Sequence, residues 1–261
     1  MQKALHTLVV GGLAAISLFT LSSCTTSATG RHQLILVSKD QEMKLGLTAF
    51  DEMKKTVPIS KDAKHNALVA KVGARIAEQA KGELPDAKWE FVVFDSKEAN
   101  AFCLPGGKVG VYSGILAITQ TEAGLATVTG HEVAHTSQHH GNERMSDAMA
   151  VQAVTQVAGS QVSDKYQAAA MTTFGVVGKY GVELPFSRVQ ESEADRVGLR
   201  YMAQAGYDPE EAVRFWQRFS EANKGQPSQP EFLRTHPLDS RRIADLQKWM
   251  PEAKARMKPA Q

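Results

Sequence analysis

The chain has 261 residues, 43% of them hydrophobic and 22% charged, which excludes a disordered polymer and allows one good core with at most a small second lobe. A formal charge of +2, no long basic run and few aromatic residues to interleave with one argue against nucleic acid as a partner.

The N-terminus has its own character. Lys3 precedes an apolar run from Thr7 to Leu21 that ends in Leu21-Ser22-Ser23-Cys24. At about 15 residues the run is shorter than the roughly 20 needed to span a bilayer, so it reads as a secretory segment. The ending resembles a bacterial lipobox. It predicts a signal peptide over residues 1–23, cleavage before Cys24, a lipid on the Cys24 thiol, a Thr/Ser-rich tether over 24–38 and a single domain over 39–261. Thr25 following the cysteine resembles the class sorted to the outer membrane of Gram-negative bacteria, so the expected location is its periplasmic face. Cys103 is the one cysteine left, which excludes an intramolecular disulfide. Between Phe102 and Leu104 it reads as a small buried hydrophobe rather than a catalytic thiol.

Downstream, Met43, Leu47, Phe50 and Met53 predict a helix over 39–55, and Leu68, Val69, Val72 and Ile76 predict another over 62–81. Trp89 to Phe94 is an apolar run suited to a buried strand. Phe102 to Tyr112 reads as a hairpin around Pro105-Gly106-Gly107. Next comes a mostly apolar helix containing Leu125, Ala126, Val128, Val133 and Ala134. Thr119 and Glu122 form a T-x-x-E capping box for it, and Thr121 is a second candidate cap. The rest reads as helices over about 144–157, 165–177, 186–204, 209–222 and 239–249. A polar loop covers 223–230, and the apolar stretch 168–178 is too short to span a membrane.

Chemistry concentrates in the apolar helix. His131-Glu132-Val133-Ala134-His135 places two imidazoles four residues apart, on one helical face and about 6 Å apart along the axis, where they can share a metal ion. A catalytic zinc site takes three protein ligands and keeps one position for water, so a third donor is required. Glu191 and Asp195 lie four apart on one face of the 186–204 helix, and Glu193 points about 160° away from Asp195. One of the two can bind the metal while the other orients a ligand histidine. His139 and His140 read as a solvated helix end, because a continuous helix would carry His139 about 12 Å from His131.

These blocks resemble the HtpX-like and CaaX-prenyl-endopeptidase-like zinc metallopeptidases, and within them small periplasmic lipoproteins. The likeness spans about 39–246 in matching order: Asn100-Ala101-Phe102 with Pro105-Gly106-Gly107, His131 to His135, Glu191 to Asp195, then His236-Pro237 with Arg242. The resemblance implies an α+β, mostly helical, zincin-like (gluzincin) domain with a small mixed β-sheet beside the active-site helix. It implies one Zn2+ per chain on His131, His135 and Glu191, with Glu132 as general base and Asp195 as the partner of a ligand histidine. His236 would lie over the metal, stabilising an oxyanion or occupying the water position at rest, with Arg242 supporting it. The strand edge at Asn100, Ala101 and Phe102 would bind substrate as an added β-strand. Gly124 departs from the family pattern, where Glu is frequent, and both it and Gly130 weaken the helix by about 1 kcal/mol against alanine.

The expected function is therefore zinc-dependent endopeptidase action on unfolded or unassembled envelope proteins, at a membrane reached through the N-terminal lipid. The alternatives are a chaperone-like assembly lipoprotein that keeps the metal fold without proteolysis, and a periplasmic metal-binding protein. Oligomeric state is not readable from the chain.

Overall fold

A computed structural model describes residues 24–157, 187–223, 230–237 and 241–259. The expected signal peptide, the helix over 165–177, the apolar stretch 168–178 and most of the 223–230 loop lie outside the described residues. In chain order the elements are β1 (Cys24–Thr26), β2 (His32–Leu34), α1 (Lys39–Thr56), α2 (Ala63–Gln79), β3 (Glu90–Phe94), β4 (Ala101–Leu104), β5 (Lys108–Tyr112), α3 (Ser113–Thr119), α4 (Glu122–Ser137), α5 (His140–Val157), α6 (Arg188–Gln204), α7 (Glu210–Ala222), α8 (Glu231–Thr235) and α9 (Arg242–Ala255). Helices dominate, and the small mixed sheet runs in the order β3-β5-β4, with β3 parallel and β4 antiparallel to β5. This is the expected α+β architecture. Among the described residues, no helix is long and apolar enough to cross a membrane.

Helix α4 is the axis of the molecule: every residue from Gly124 to Ser137 is buried. A helix buried all round needs cover on every side, and partners for its polar side chains. The cover comes from α2, α6, α7 and strand β4. Its cap is Thr121, whose hydroxyl accepts the Gly124 amide at 2.9 Å, not the Thr119–Glu122 box the sequence suggested. Thr119 instead ends α3, giving its hydroxyl to the Leu116 carbonyl, and Gln120 at φ 60° turns the chain before α4 starts.

Gly130 of α4 and Gly198 of α6 explain how the two helices meet. A methyl group on Gly198 would stand 2.8 Å from the His131 amide nitrogen, and one on Gly130 would stand 3.0 Å from the Gly198 carbonyl oxygen. Backbone touches backbone at this crossing, and only glycine leaves room for it. The local helix weakness at Gly130 thus offsets against a close approach that brings the carboxylates of α6 over the histidines of α4.

Two apolar clusters hold the frame. The larger joins α2, the sheet, α4, α6 and the aromatic side of α7 and α8, where Phe215, Trp216, Phe219 and Phe232 are fully buried. The smaller fixes α1 to the sheet through Phe50, Phe94, Leu104 and Tyr112, with Phe50 and Phe94 meeting edge to face at 6.3 Å.

Residues 24–34, expected as part of a tether, form a hairpin docked on the domain. Gln33 donates to the Gln138 carbonyl at 2.7 Å, and the Ala28 amide donates to the Gln138 side chain at 2.8 Å. Leu36 N–H binds the Ser146 hydroxyl at 2.8 Å, and Asn142 donates to the Val37 carbonyl at 2.8 Å.

Candidate metal centre

Four of the side chains singled out in the sequence converge. Ligand atoms of His131, His135, Glu191 and His236 all lie within 4.8 Å of one another, and all four residues are buried. His131 Nε2 is 3.0 Å from His135 Nε2 and 3.5 Å from Glu191 Oε2, while His135 Nε2 is 3.2 Å from Glu191 Oε1. His236 Nδ1 completes the group, 3.2 Å from His131 Nε2 and 2.9 Å from Glu191 Oε1. A tetrahedral zinc ion with bonds of about 2.0–2.1 Å has ligand–ligand edges of about 3.3 Å. The observed spacings bracket that value.

Local structure sets each group. The four-residue spacing of His131 and His135 puts both rings on one face of α4. On α6, Ser187 and Gln190 form a reciprocal capping box, so Glu191 enters in the first helical turn and Asp195 one turn later. Asp195 Oδ1 lies 2.9 Å from His131 Nδ1, which leaves the Nε2 lone pair of His131 facing the cluster. Arg242, at the start of α9, donates to Asp195 at 2.7 Å and places Nη1 3.0 Å from Glu191 Oε2. Its guanidinium stacks over Trp216 at 3.5 Å. Arg196, a possible neighbour of the carboxylates in a solvated arrangement, pairs with Glu252 instead.

The electrostatics favour a cation. Glu132, Glu191 and Asp195 are buried with a single guanidinium, Arg242, which leaves a formal excess of negative charge. Glu191 Oε2 is buried without a hydrogen bond, the approach of Arg242 Nη1 being poorly aligned for one. Burial would raise the Glu191 carboxyl, but the neighbouring His236, Arg242 and His131 side chains hold it well below the usual carboxylate range. Burial pushes His135 well below the usual imidazole value, more than Glu191 restores, whereas for His131 burial is outweighed by Glu191 and Asp195, which raise it. The donor set and its charge fit zinc.

Glu132 lies next to the cluster, with Oε1 3.4 Å from His236 Nε2. The strand edge read as substrate-binding belongs to β4, the outer strand of its sheet, tied to α4 where the Thr136 hydroxyl donates to the Cys103 carbonyl at 2.6 Å. Asn100 precedes β4 and accepts the Ala101 amide at 2.9 Å, while the Phe102 ring turns inward onto Gly110 and the aromatic cluster. Burial pushes the partly buried Cys103 thiol up to about 12, in keeping with an inert residue.

One expectation fails. His140 is not solvated: it is 0% exposed, and its Nδ1 sits 2.9 Å from His135 Nδ1. Helix α4 ends at Ser137 and the chain reverses at His139, a left-handed residue at φ 54°, so the distance computed along a continuous helix does not apply. His139 itself lies against Glu42 at 3.0 Å. Glu193, on the opposite face of α6 from Asp195, meets His140 Nε2 at 3.1 Å.

Residues 63–250 match the model of peptidase family M48. The chain is 38% identical over 173 residues to the mitochondrial metalloendopeptidase OMA1 of Schizosaccharomyces pombe, covering 66% of this chain and 50% of that protein. It is 30% identical to the human mitochondrial metalloendopeptidase OMA1 over 86% of this chain and 45% of that protein. It is 27% identical to the β-barrel assembly-enhancing protease of Escherichia coli K12 over 87% of this chain and 47% of that protein. The chain thus spans about half the length of the curated relatives it matches. With its buried histidine–carboxylate cluster inside the matched region, the chain belongs to peptidase family M48, whose members are zinc-dependent metallopeptidases.

Proposed function

We propose that the chain is a zinc endopeptidase in which His131, His135 and Glu191 hold the ion and Glu132 is the general base. The convergence of three donor side chains from α4 and α6, with a second glutamate beside them, carries this reading. Bound zinc would supply Lewis acidity, acidifying water and polarising a carbonyl. Glu132 takes the proton of the attacking water and passes it to the leaving amine. Asp195 fixes the tautomer of His131, and Arg242 binds Asp195 and balances the charge of Glu191. The outer edge of β4, from Asn100 to Phe102, aligns an extended peptide through main-chain hydrogen bonds. His236, whose Nδ1 joins the cluster, would serve as a fourth donor in the resting site.

The proposed substrates are unfolded or unassembled envelope proteins, met at the periplasmic face of the outer membrane by a chain anchored through a lipid on Cys24. The lipobox-like ending supports the anchor. The name of the Escherichia coli relative supports the setting, since single-chain bacterial membrane barrels sit in outer membranes. Glu132→Gln is expected to keep zinc and to lose casein cleavage. Unchanged cleavage by the zinc-loaded variant would defeat the proposal, and normal envelope function in that variant would favour the chaperone-like alternative.

A further inference from the structure

The two ligand histidines on α4 are supported differently. His131 rests directly on the carboxylate of Asp195. His135 rests on another imidazole: its Nδ1 faces His140 Nδ1 at 2.9 Å, and His140 Nε2 faces Glu193 at 3.1 Å. The directions of these bonds follow from the chemistry of the groups. An ionised carboxylate only accepts, so His140 carries its proton on Nε2 and offers a lone pair on Nδ1. His135 must then donate from Nδ1, which leaves its Nε2 lone pair facing the metal cluster. His140 therefore selects the tautomer in which His135 can bind an ion.

The chain of contacts does not stop at Glu193. That side chain is 2% exposed, accepts from Thr29, and meets Arg31 Nε at 2.9 Å and Arg31 Nη2 at 2.8 Å. Arg31 also pairs with Glu143, which receives Gln190 Nε2 at 2.8 Å and Gln33 Nε2 at 3.1 Å. Thr29 and Arg31 lie in the loop of the β1–β2 hairpin. The N-terminal hairpin is thus wired by consecutive polar contacts to the second ligand histidine.

We infer that His140 is a positioning residue for the metal centre, and that through Glu193 and Arg31 it makes the set of His135 depend on docking of the N-terminal hairpin. The inference rests on the metal-centre reading above. It assigns the hairpin a part in building the site, where a tether would have none.

The test measures zinc affinity of the full chain by chelator competition, cobalt(II) visible absorption as a record of ligand geometry, and the melting temperature of the zinc-free protein. His140→Leu is expected to weaken zinc binding by about 10–100-fold and to alter the cobalt spectrum. His140→Gln can accept from His135 with its amide oxygen and donate to Glu193 with its amide nitrogen, so it is expected to restore most of the affinity. Arg31→Ala, which touches no ligand, is expected to shift affinity in the same direction by a smaller factor. Wild-type affinity in His140→Leu, or equal losses in the leucine and glutamine variants, would overturn the positioning role. If His140→Leu does not fold, Glu193→Gln and Arg31→Ala read the same relay from its far end, and unchanged zinc affinity in both overturns it. Failure of the wild-type chain to hold zinc would instead remove the metal-centre reading.

Discussion

Replacing Gly198 by alanine sets two opposing effects against each other. Alanine gains about 1 kcal/mol over glycine in helix propensity. The added methyl, however, lies 2.8 Å from the His131 amide nitrogen and 2.9 Å from the Gly130 carbonyl carbon, whereas carbon contacts settle at about 3.5–4.0 Å. What it meets is the backbone of a buried helix, which cannot rotate away as a side chain can. Overpacking of this kind costs about 1–3 kcal/mol, and a contact this short belongs at the upper end. The net expectation is a loss of about 1–2 kcal/mol, or a fall in melting temperature of roughly 3–6 °C at this chain length. Because the displaced atoms belong to His131, zinc affinity falls as well. Gly130→Ala, with its nearest contact at 3.0 Å, should lose less, and Gly82→Ala, with nothing within 4 Å, should be near neutral. Thermal denaturation with and without zinc checks all three. A Gly198→Ala protein more stable than wild type, by the propensity gain alone, would refute the argument that the crossing is sterically closed.

Arg242→Met leaves Glu191 and Asp195 buried together without their guanidinium, so a loss of about 3–5 kcal/mol is expected in the zinc-free protein, with part recovered on adding zinc; a zinc-free melting point within 2 °C of wild type would contradict this. Burial would raise the Glu143 carboxyl, but hydrogen bonds from Arg31, Gln190 and Gln33 hold it below its ordinary value. Its contribution to stability is therefore present above the unfolded value of about 4.3 and is lost as pH falls through the lower folded value. Limited proteolysis of the N-terminal hairpin should accelerate in wild type below about pH 4, while Glu143→Gln should be susceptible already at pH 7 with a flatter profile. With its thiol pushed up to about 12, Cys103 should resist alkylation at pH 8 until the protein unfolds, and prompt stoichiometric labelling of the native chain would be the contrary result. His236→Ala should bind zinc more weakly yet cleave casein faster per bound ion; slower cleavage at full zinc occupancy would assign His236 to the reaction itself.

What the sequence made readable was local. The i, i+4 spacings of His131 with His135 and of Glu191 with Asp195 are properties of one helix each, and the structure keeps both. The Phe102 to Tyr112 hairpin carried its own turn signal in Gly106 and Gly107, both at positive φ. His140 escaped because its burial depends on a left-handed histidine at 139, a conformation no helical pattern announces. Glu193 escaped for a related reason: reading one face of α6 as the site leaves the other face to solvent, whereas α5 and the N-terminal hairpin cover it. The contacts of Arg31 with Glu143 and Glu193 join residues more than 100 positions apart, which spacing rules do not reach. One signal was present: Ser187-x-x-Gln190 is a capping-box pattern, and it marks the start of α6 one turn before Glu191.

Glu191, Asp195 and Gly198 stand at positions i, i+4 and i+7, two turns that bring all three to one stripe of α6, with Glu193 on the reverse. The helix therefore behaves as a key with teeth on both edges, cut to a single depth. Deleting one residue between Glu191 and Gly198 would swing the two apart by about 100° and turn one set of carboxylates away from its histidine whichever end stayed docked. Length changes are not tolerable within those eight residues, where the register of the helix is itself the specification of the site.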